Sequence, residues 1–137
     1  PDALASIAAW REGAANIRPP LALDAGAANW PLDRAEGVLC INMVHISPWA
    51  STLGLFAGAA RLLRSGAPLY LYGPFRREGM PTAPSNEAFD ESLKARNPEW
   101  GLRLLEDMIA LGDRAGFAFA QLVEMPANNL SVIFRRV

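Results

Sequence analysis

The sequence predicts an α/β domain with a mostly parallel sheet that ends in an antiparallel pair of strands. Apolar, strand-like runs alternate with segments whose apolar residues recur at helical spacing. The last two apolar runs, FAFAQLVEM and NLSVIFRR, are separated only by Pro126-Ala127-Asn128, a connection short enough to require antiparallel neighbours. With 137 residues, 51% of them hydrophobic, the chain can form one domain with its own core, so residues 1–137 are treated as a single domain.

The first three predicted elements are a helix and two strands. Apolar residues from Leu4 to Ala14 form an imperfect helical stripe, and Arg18-Pro19-Pro20 ends it. The run LALDA, residues 21–25, predicts a short strand that ends near Asp24. The run GVLCINMV, residues 37–44, is almost continuously apolar and predicts a strand buried on both faces.

A helix and a third strand follow. Ser47 is predicted as the N-cap and Pro48 as the first helical residue, because serine caps helices and proline suits their first position. Apolar residues then recur at helical spacing until Gly66, which is expected to end the helix. The run PLYLYG, Pro68 to Gly73, predicts the next strand.

The second half of the chain predicts a long loop, two helices and the final strand pair. The loop is PFRREGMPTAPSN, and Ser85 is expected to cap a helix that reaches about Arg96. A second helix is predicted from about Leu102 to Arg114, ending at Gly116.

Composition argues against several classes of protein. A net charge of −1 is unsuited to a broad nucleic-acid-binding face, which needs clustered Lys and Arg. No segment has the roughly 18 consecutive apolar residues of a membrane span. Cys40 has no second cysteine to pair with, so we expect an intracellular, cytoplasmic protein. The chain opens within a helical pattern and without Met, which suggests a piece of a longer protein.

Polar residues occur where the predicted strands end, and in open α/β sheets ligands bind beyond those ends. This set comprises Asp24, Asn42, His45, Tyr72, Asn128 and Asn129. Each also has a structural explanation. Asp24 can cap a turn, His45 can be a satisfied histidine at a helix start, and the two hairpin asparagines can stabilise their turn. Asn86 can cap a helix, Tyr72 and Trp49 can pack in the core or at its rim, and Asp90 can lie on a solvated helix face.

Common catalytic and metal-binding motifs are not found in the sequence. One His and one Cys make no recognisable zinc set. There is no G-x-S-x-G nucleophile elbow and no Walker loop. The glycines of GLFAGAA fall inside a predicted helix, so they do not form a dinucleotide-binding turn.

Most of the chain resembles the C-terminal part of a methyltransferase-like family of unknown function, domain of unknown function 938. The stretches VLCINMVHISPW, TAPSNEAFDESL and EMPANNLSVIFRR carry the resemblance. ARLLRSGAPLYLYG is also similar to the helix-to-strand passage of class I S-adenosylmethionine-dependent methyltransferases, with Ser65 and Ala67 where Pro and Gly are preferred. The resemblance implies a Rossmann-like sheet with an antiparallel last strand. Strands one and two of that fold, with their glycine-rich loop and ribose-binding acid, have no counterpart here.

The resemblance also implies roles for individual residues. Asp24 and Ala25 would flank the adenine of S-adenosylmethionine, and Asn42 and Met43 would lie under its methionine part. His45 is the candidate general base, because an unperturbed histidine titrates near pH 6.5. Trp49, Tyr72, Asn86, Asn128 and Asn129 would face a small-molecule acceptor.

Three functions remain open at this point. The first is S-adenosylmethionine-dependent methyl transfer to a small molecule. The second is a methyltransferase-like binding or scaffold module without activity, and the third is part of a nicotinamide-dependent oxidoreductase. The two absent strands would leave an exposed sheet edge, which favours pairing with another chain in a homo-oligomer.

Overall fold

A computed structural model describes residues 2–137 and contains four α-helices and six strands in that range. None of the helices within it is long and apolar enough to cross a membrane. A 3₁₀ turn, Pro126–Asn128, joins the last two strands. In chain order the elements are α1 (Asp2–Trp10), β1 (Val38–Ile41), α2 (Trp49–Leu62), β2 (Pro68–Gly73), β3 (Phe75–Arg76), α3 (Pro84–Arg96), β4 (Arg103–Leu104), α4 (Leu105–Ala115), β5 (Phe117–Met125) and β6 (Asn129–Arg136).

The main sheet has the strand order β1-β2-β6-β5. β1 and β2 are parallel, whereas β6 runs antiparallel to both β2 and β5. This mixed sheet and its antiparallel final pair confirm the predicted α/β class, and the bounds of β2, β5 and β6 coincide with the predicted runs. The short strands β3 and β4 pair separately, in a region that the sequence predicted as loop and helix.

The core lies between one face of this sheet and helices α2 and α4. Phe56 of α2 is fully buried and makes edge-to-face contacts with Phe117 and Phe134, with ring centroids 5.7 and 5.3 Å apart. Met108 of α4 is fully buried in the same cluster. Each such side chain contributes about 1.5–3 kcal/mol by leaving water, so this layer fixes the sheet and the ends of its strands.

The opposite face of β1 is open, which corrects the prediction that the β1 run is buried on both faces. Cys40 is buried, but its neighbours Leu39 and Ile41 are 68% and 59% exposed. Side chains alternate along a strand, and α2 and α4 cover only the Cys40 side. Pairing of this sheet with another chain stays a prediction.

The predicted strand LALDA is wrong, because residues 21–25 form no strand. Leu21 and Leu23 are 53% and 40% exposed. A strand needs a hydrogen-bonded neighbour, and none of the strands within residues 2–137 pairs with this segment. The chain instead passes over α2, where Gly54 meets the backbone of Ala25.

The predicted serine caps are also wrong. The Ser47 hydroxyl donates to the Met43 carbonyl at 2.9 Å, and α2 begins after Pro48 with no side-chain cap. Ser85 lies inside the first turn of α3, because Ala83 occupies the capping position. Gly116 does end α4, in the left-handed conformation with φ 83°.

Gly54 provides a test of the packing between α2 and the 24–26 segment. A Cβ atom there would lie 2.3 Å from the Ala25 carbonyl oxygen, so Gly54→Ala forces backbone apart. We expect it to lower the free energy of unfolding by about 1–3 kcal/mol, although helix propensity alone would raise it. Urea unfolding measures this free energy.

Ala57→Gly, at an exposed position of the same helix, is the control for helix propensity and should lower the free energy of unfolding by about 1 kcal/mol. A gain in stability from Gly54→Ala would contradict the packing.

Candidate functional site

A cavity of about 490 Å³ lies beyond the carboxyl end of β1. Three segments that are distant in sequence form its polar wall: the end of β1, the first turns of α3 and the β5–β6 turn. The structure thereby brings together five of the predicted site residues. These are Asn42, His45, Asn86, Asn128 and Asn129, with Ile46, Pro74, Ser85, Phe89 and Ala127 completing the wall.

Asn42 marks the point at which the chain leaves the sheet. Its backbone N–H donates to the Tyr72 carbonyl at 2.9 Å, which is the last bond along the β1–β2 edge. Its φ is 53°, a left-handed value that asparagine adopts more readily than most residues. The chain turns here, and the turn places His45 beside the cavity.

His45 is 2% exposed, yet its Nδ1 has no hydrogen-bond partner within residues 2–137. The ring lies against Gly73, where a Cβ atom would be 2.9 Å from Cε1, and edge-on to Phe89 with centroids 5.6 Å apart. Burial, and to a lesser extent the positive charge of Arg103, lower the pKa of His45 to about 4. The imidazole is therefore neutral at neutral pH and keeps one nitrogen as a hydrogen-bond acceptor.

Arg103 fixes the turn that carries His45, a role that the sequence analysis missed. Its Nε donates to the Val44 carbonyl at 3.0 Å, and one terminal nitrogen donates to the Ser47 carbonyl at 2.7 Å. The guanidinium also lies over the ring of Trp49, 5.6 Å from its centroid. Nothing local in the sequence distinguishes this arginine, because the two carbonyls of the turn that it binds lie 56 and 59 positions away.

Asp90 holds the segment before Arg103 in place. Its carboxylate accepts hydrogen bonds from the Leu102 N–H at 2.8 Å, from Arg76 at 3.0 Å and from Lys94 at 2.5 Å. Burial raises its pKa, but the bonds from Lys94, Leu102 and Arg76 outweigh burial and hold the pKa below its ordinary value. The predicted solvated helix face is thus wrong here, since Asp90 is 3% exposed. The adjacent Gly101 N–H donates to the His45 carbonyl at 3.0 Å.

The three asparagines of the opposite wall both support the turn and face the cavity. Asn86 Nδ2 donates to the Asn128 carbonyl at 3.2 Å, and Asn128 Nδ2 donates to Ser85 Oγ at 3.4 Å. Asn129 Nδ2 donates to the Pro126 carbonyl at 3.1 Å. These bonds stabilise a turn in which Ala127 and Asn128 have left-handed φ values of 59° and 58°. The three asparagines therefore stabilise the turn and also line the cavity.

The other predicted site residues do not line this cavity. Asp24 is exposed, and its Oδ1 accepts a hydrogen bond from the Gly26 N–H at 2.8 Å. Ala25 and Met43 are half-buried against the core, and Trp49 lies under Arg103. Tyr72 pairs with Ile41 and Ser131 and lies on the face of the sheet opposite the core. Within the described range, no three His, Cys, Asp or Glu side chains cluster as metal ligands.

The family of the chain is shown by a comparison with known protein families. The family described as "Protein of unknown function (DUF938)" matches residues 1–136. The chain belongs to this family. The match confirms the resemblance found in the sequence and leaves the activity to be inferred from the site.

Solved structures show the same fold at low sequence identity. LaPhzM superposes with a TM-score of 0.79 at 13% identity over 100% of this chain. The O-methyltransferase family 2 protein from Planctomyces limnophilus, in complex with apigenin, gives 0.70 at 17% over 78% of this chain. Human N-acetylserotonin methyltransferase, in complex with SAM, gives 0.69 at 15% over 79%.

These comparisons confirm the Rossmann-like methyltransferase fold. The chain spans 41% of the length of LaPhzM, 32% of the Planctomyces limnophilus protein and 31% of the human enzyme. The similarity therefore concerns one portion of those proteins.

The buried state of His45 predicts a pH dependence of folding. The unfolded chain binds its histidine proton near pH 6.5, whereas the folded chain binds it only near pH 4, so stability falls as the pH drops through that window. We expect His45 to account for a loss of about 2 kcal/mol between pH 7 and pH 5. Urea unfolding of the wild type and of His45→Gln at both pH values measures this difference.

An NMR titration checks the same point independently, because His45 is the only histidine in the sequence. Its ring resonances should titrate near pH 4. A midpoint near 6.5, or an equal pH dependence in His45→Gln, would contradict the buried, neutral state.

Proposed function

We propose that the protein transfers a methyl group from S-adenosylmethionine to a small-molecule acceptor bound in the His45 cavity. The observation that carries this proposal is a buried imidazole whose Nδ1 has no partner among residues 2–137, beside a cavity at the carboxyl end of a parallel strand. The fold adds support, because ligands of open α/β sheets bind at that edge. Structural neighbours that contain SAM or apigenin support a sulfonium donor and a small acceptor.

The described residues fit one side of a cofactor site. Asn42 has a side-chain amide without a partner in the described range and lies where the cavity meets the end of β1. Asn42 and Met43 are proposed to contact the methionine part of the cofactor. Asp24 fits the adenine side less completely, since the Gly26 N–H occupies one oxygen of its carboxylate. When bound, S-adenosylmethionine supplies an electrophilic methyl group.

His45 is proposed to receive the proton of the acceptor. Its neutral ring can accept a hydrogen bond from a hydroxyl group and hold that group in one orientation. Alignment of the two reacting atoms is the main requirement of a displacement reaction, and the carbonyl contacts of Arg103 and Gly101 fix the turn that sets the position of the ring. Because His45 has a low pKa, it is a weak base that stays available at all pH values above about 4.

Substitution of His45 tests this role in the protein expressed at the full length that its gene encodes. We expect His45→Gln to lower kcat by about 100-fold or more, within the usual range for a lost acid–base group, while Kd for S-adenosylmethionine changes little. Transfer from methyl-labelled S-adenosylmethionine to a metabolite extract measures turnover, and calorimetry measures cofactor binding. Ser92→Ala, at an exposed position of α3, is the control and should retain full activity.

The pH profile separates this mechanism from a catalytic histidine of ordinary pKa. Activity should stay level down to about pH 5 and fall as His45 is protonated near pH 4. A fall near pH 6.5 would contradict it, and unchanged turnover in His45→Gln would remove the role. S-adenosylmethionine binding without transfer to any component of the extract would favour a binding module without activity.

A further inference from the structure

We propose that the His45 cavity binds an uncharged molecule that combines a flat apolar ring with hydrogen-bond donors such as hydroxyl groups. This molecule is the methyl acceptor if the proposed function holds. The class of ligand is inferred from the residues of the cavity wall, so it does not depend on catalysis.

The free polar atoms of the wall are mostly hydrogen-bond acceptors. The Nδ2 groups of Asn86, Asn128 and Asn129 already donate to protein oxygens. No donor within residues 2–137 reaches the Oδ1 atom of any of the three. Donors that remain are the Asn42 amide and the Ser85 hydroxyl. A ligand therefore completes the wall best by donating hydrogen bonds to these Oδ1 oxygens.

The wall carries no formal charge. None of its members within the described range is Asp, Glu, Lys or Arg, and His45 is neutral. Charged groups of the surrounding elements are engaged elsewhere: Arg76 binds Glu87 and Asp90, Arg77 binds Glu124, and Arg103 binds backbone carbonyls. An anion would lose its hydration without meeting a cation and would face the Asn oxygens, while a cation would meet no carboxylate.

Apolar side chains supply a surface for a ring. Phe89 and Ile46 line the cavity and are 36% and 40% exposed, and Pro74 lies beside them. The Phe89 ring already stands edge-on to His45, the geometry that aromatic groups prefer. The volume of about 490 Å³ falls within the range of small-molecule pockets.

Three probes of similar shape test the proposal: resorcinol, 1,3-dimethoxybenzene and 3-hydroxybenzoate. Resorcinol is neutral with two donors, the diether is neutral with none, and the benzoate is an anion. Titrations of the 137-residue chain are followed by NMR through the ring resonances of its single histidine. We expect resorcinol to bind about tenfold more tightly than either of the others, which corresponds to the net worth of about one hydrogen bond.

Asn128→Gly tests the wall directly. Asn128 has φ 58°, so glycine keeps the backbone conformation while it removes one Oδ1 acceptor. Resorcinol should bind this variant several-fold more weakly. Glu91→Gln, at an exposed position of α3 outside the cavity wall, is the matched control and should bind as the wild type does.

The outcomes of these titrations test the ligand class separately from the proposed methyl transfer. Preference for resorcinol that Asn128→Gly reduces supports the ligand class, whether or not any methyl transfer is found. Equal binding of the three probes, preference for the benzoate or diether, or resorcinol shifts unaffected by Asn128→Gly would overturn it. Methyl transfer to an anionic acceptor would also overturn the ligand class while leaving the proposed function intact.

Discussion

The candidate site depends on the contact between Arg103 and the turn that follows β1. A strand that leaves a sheet exposes carbonyls that the ladder no longer pairs, and buried unpaired carbonyls are costly. Arg103 satisfies those of Val44 and Ser47, and the Gly101 N–H satisfies that of His45 between them. Three carbonyls of one turn are therefore paired by residues 101 and 103 of a single segment. The imidazole itself packs against Gly73 and edge-on to Phe89.

The same constraint extends outward to α3. Asp90 accepts a hydrogen bond from Leu102, and a Cβ atom at Gly101 would lie 2.8 Å from its Oδ1, so the segment fits only because residue 101 is glycine. Arg76 and Lys94 neutralise the buried carboxylate. In these ion pairs the charged side chains of Arg76, Asp90 and Lys94 bind one another. The wall of the cavity, by contrast, consists of amides, a hydroxyl group, apolar side chains and a neutral histidine.

Local patterns in the sequence predicted the elements that depend on local properties. The runs that became β2, β5 and β6 are apolar and are set off by Gly, Pro or Asn at the neighbouring turns, so their limits were predictable. LALDA has a similar pattern but forms no strand, because a strand also needs a neighbour. The two-residue strands β3 and β4 are too short to produce a periodic pattern.

The site residues that could be predicted from the sequence were likewise those marked by a local pattern. Asn42, His45 and the hairpin asparagines could be found because polar residues after apolar runs mark the ends of strands. Tyr72 also stands near a strand end, but the two-residue alternation directs it to the open face with Ile41. Arg103 could not be found, since its function depends on carbonyls far away in the sequence.

The two halves of the proposed site differ in how completely this chain forms them. The acceptor half is built from the end of β1, α3 and the β5–β6 turn, which are all held by contacts within residues 2–137. The cofactor half has Asn42 at the cavity, whereas Asp24 lies in an exposed loop and the sheet beside β1 is open. The proposed acceptor site thus has a preformed wall, and a preformed wall binds a ligand without the cost of ordering its own side chains. Recognition of the acceptor can therefore be studied separately from the methyl transfer that it is proposed to serve.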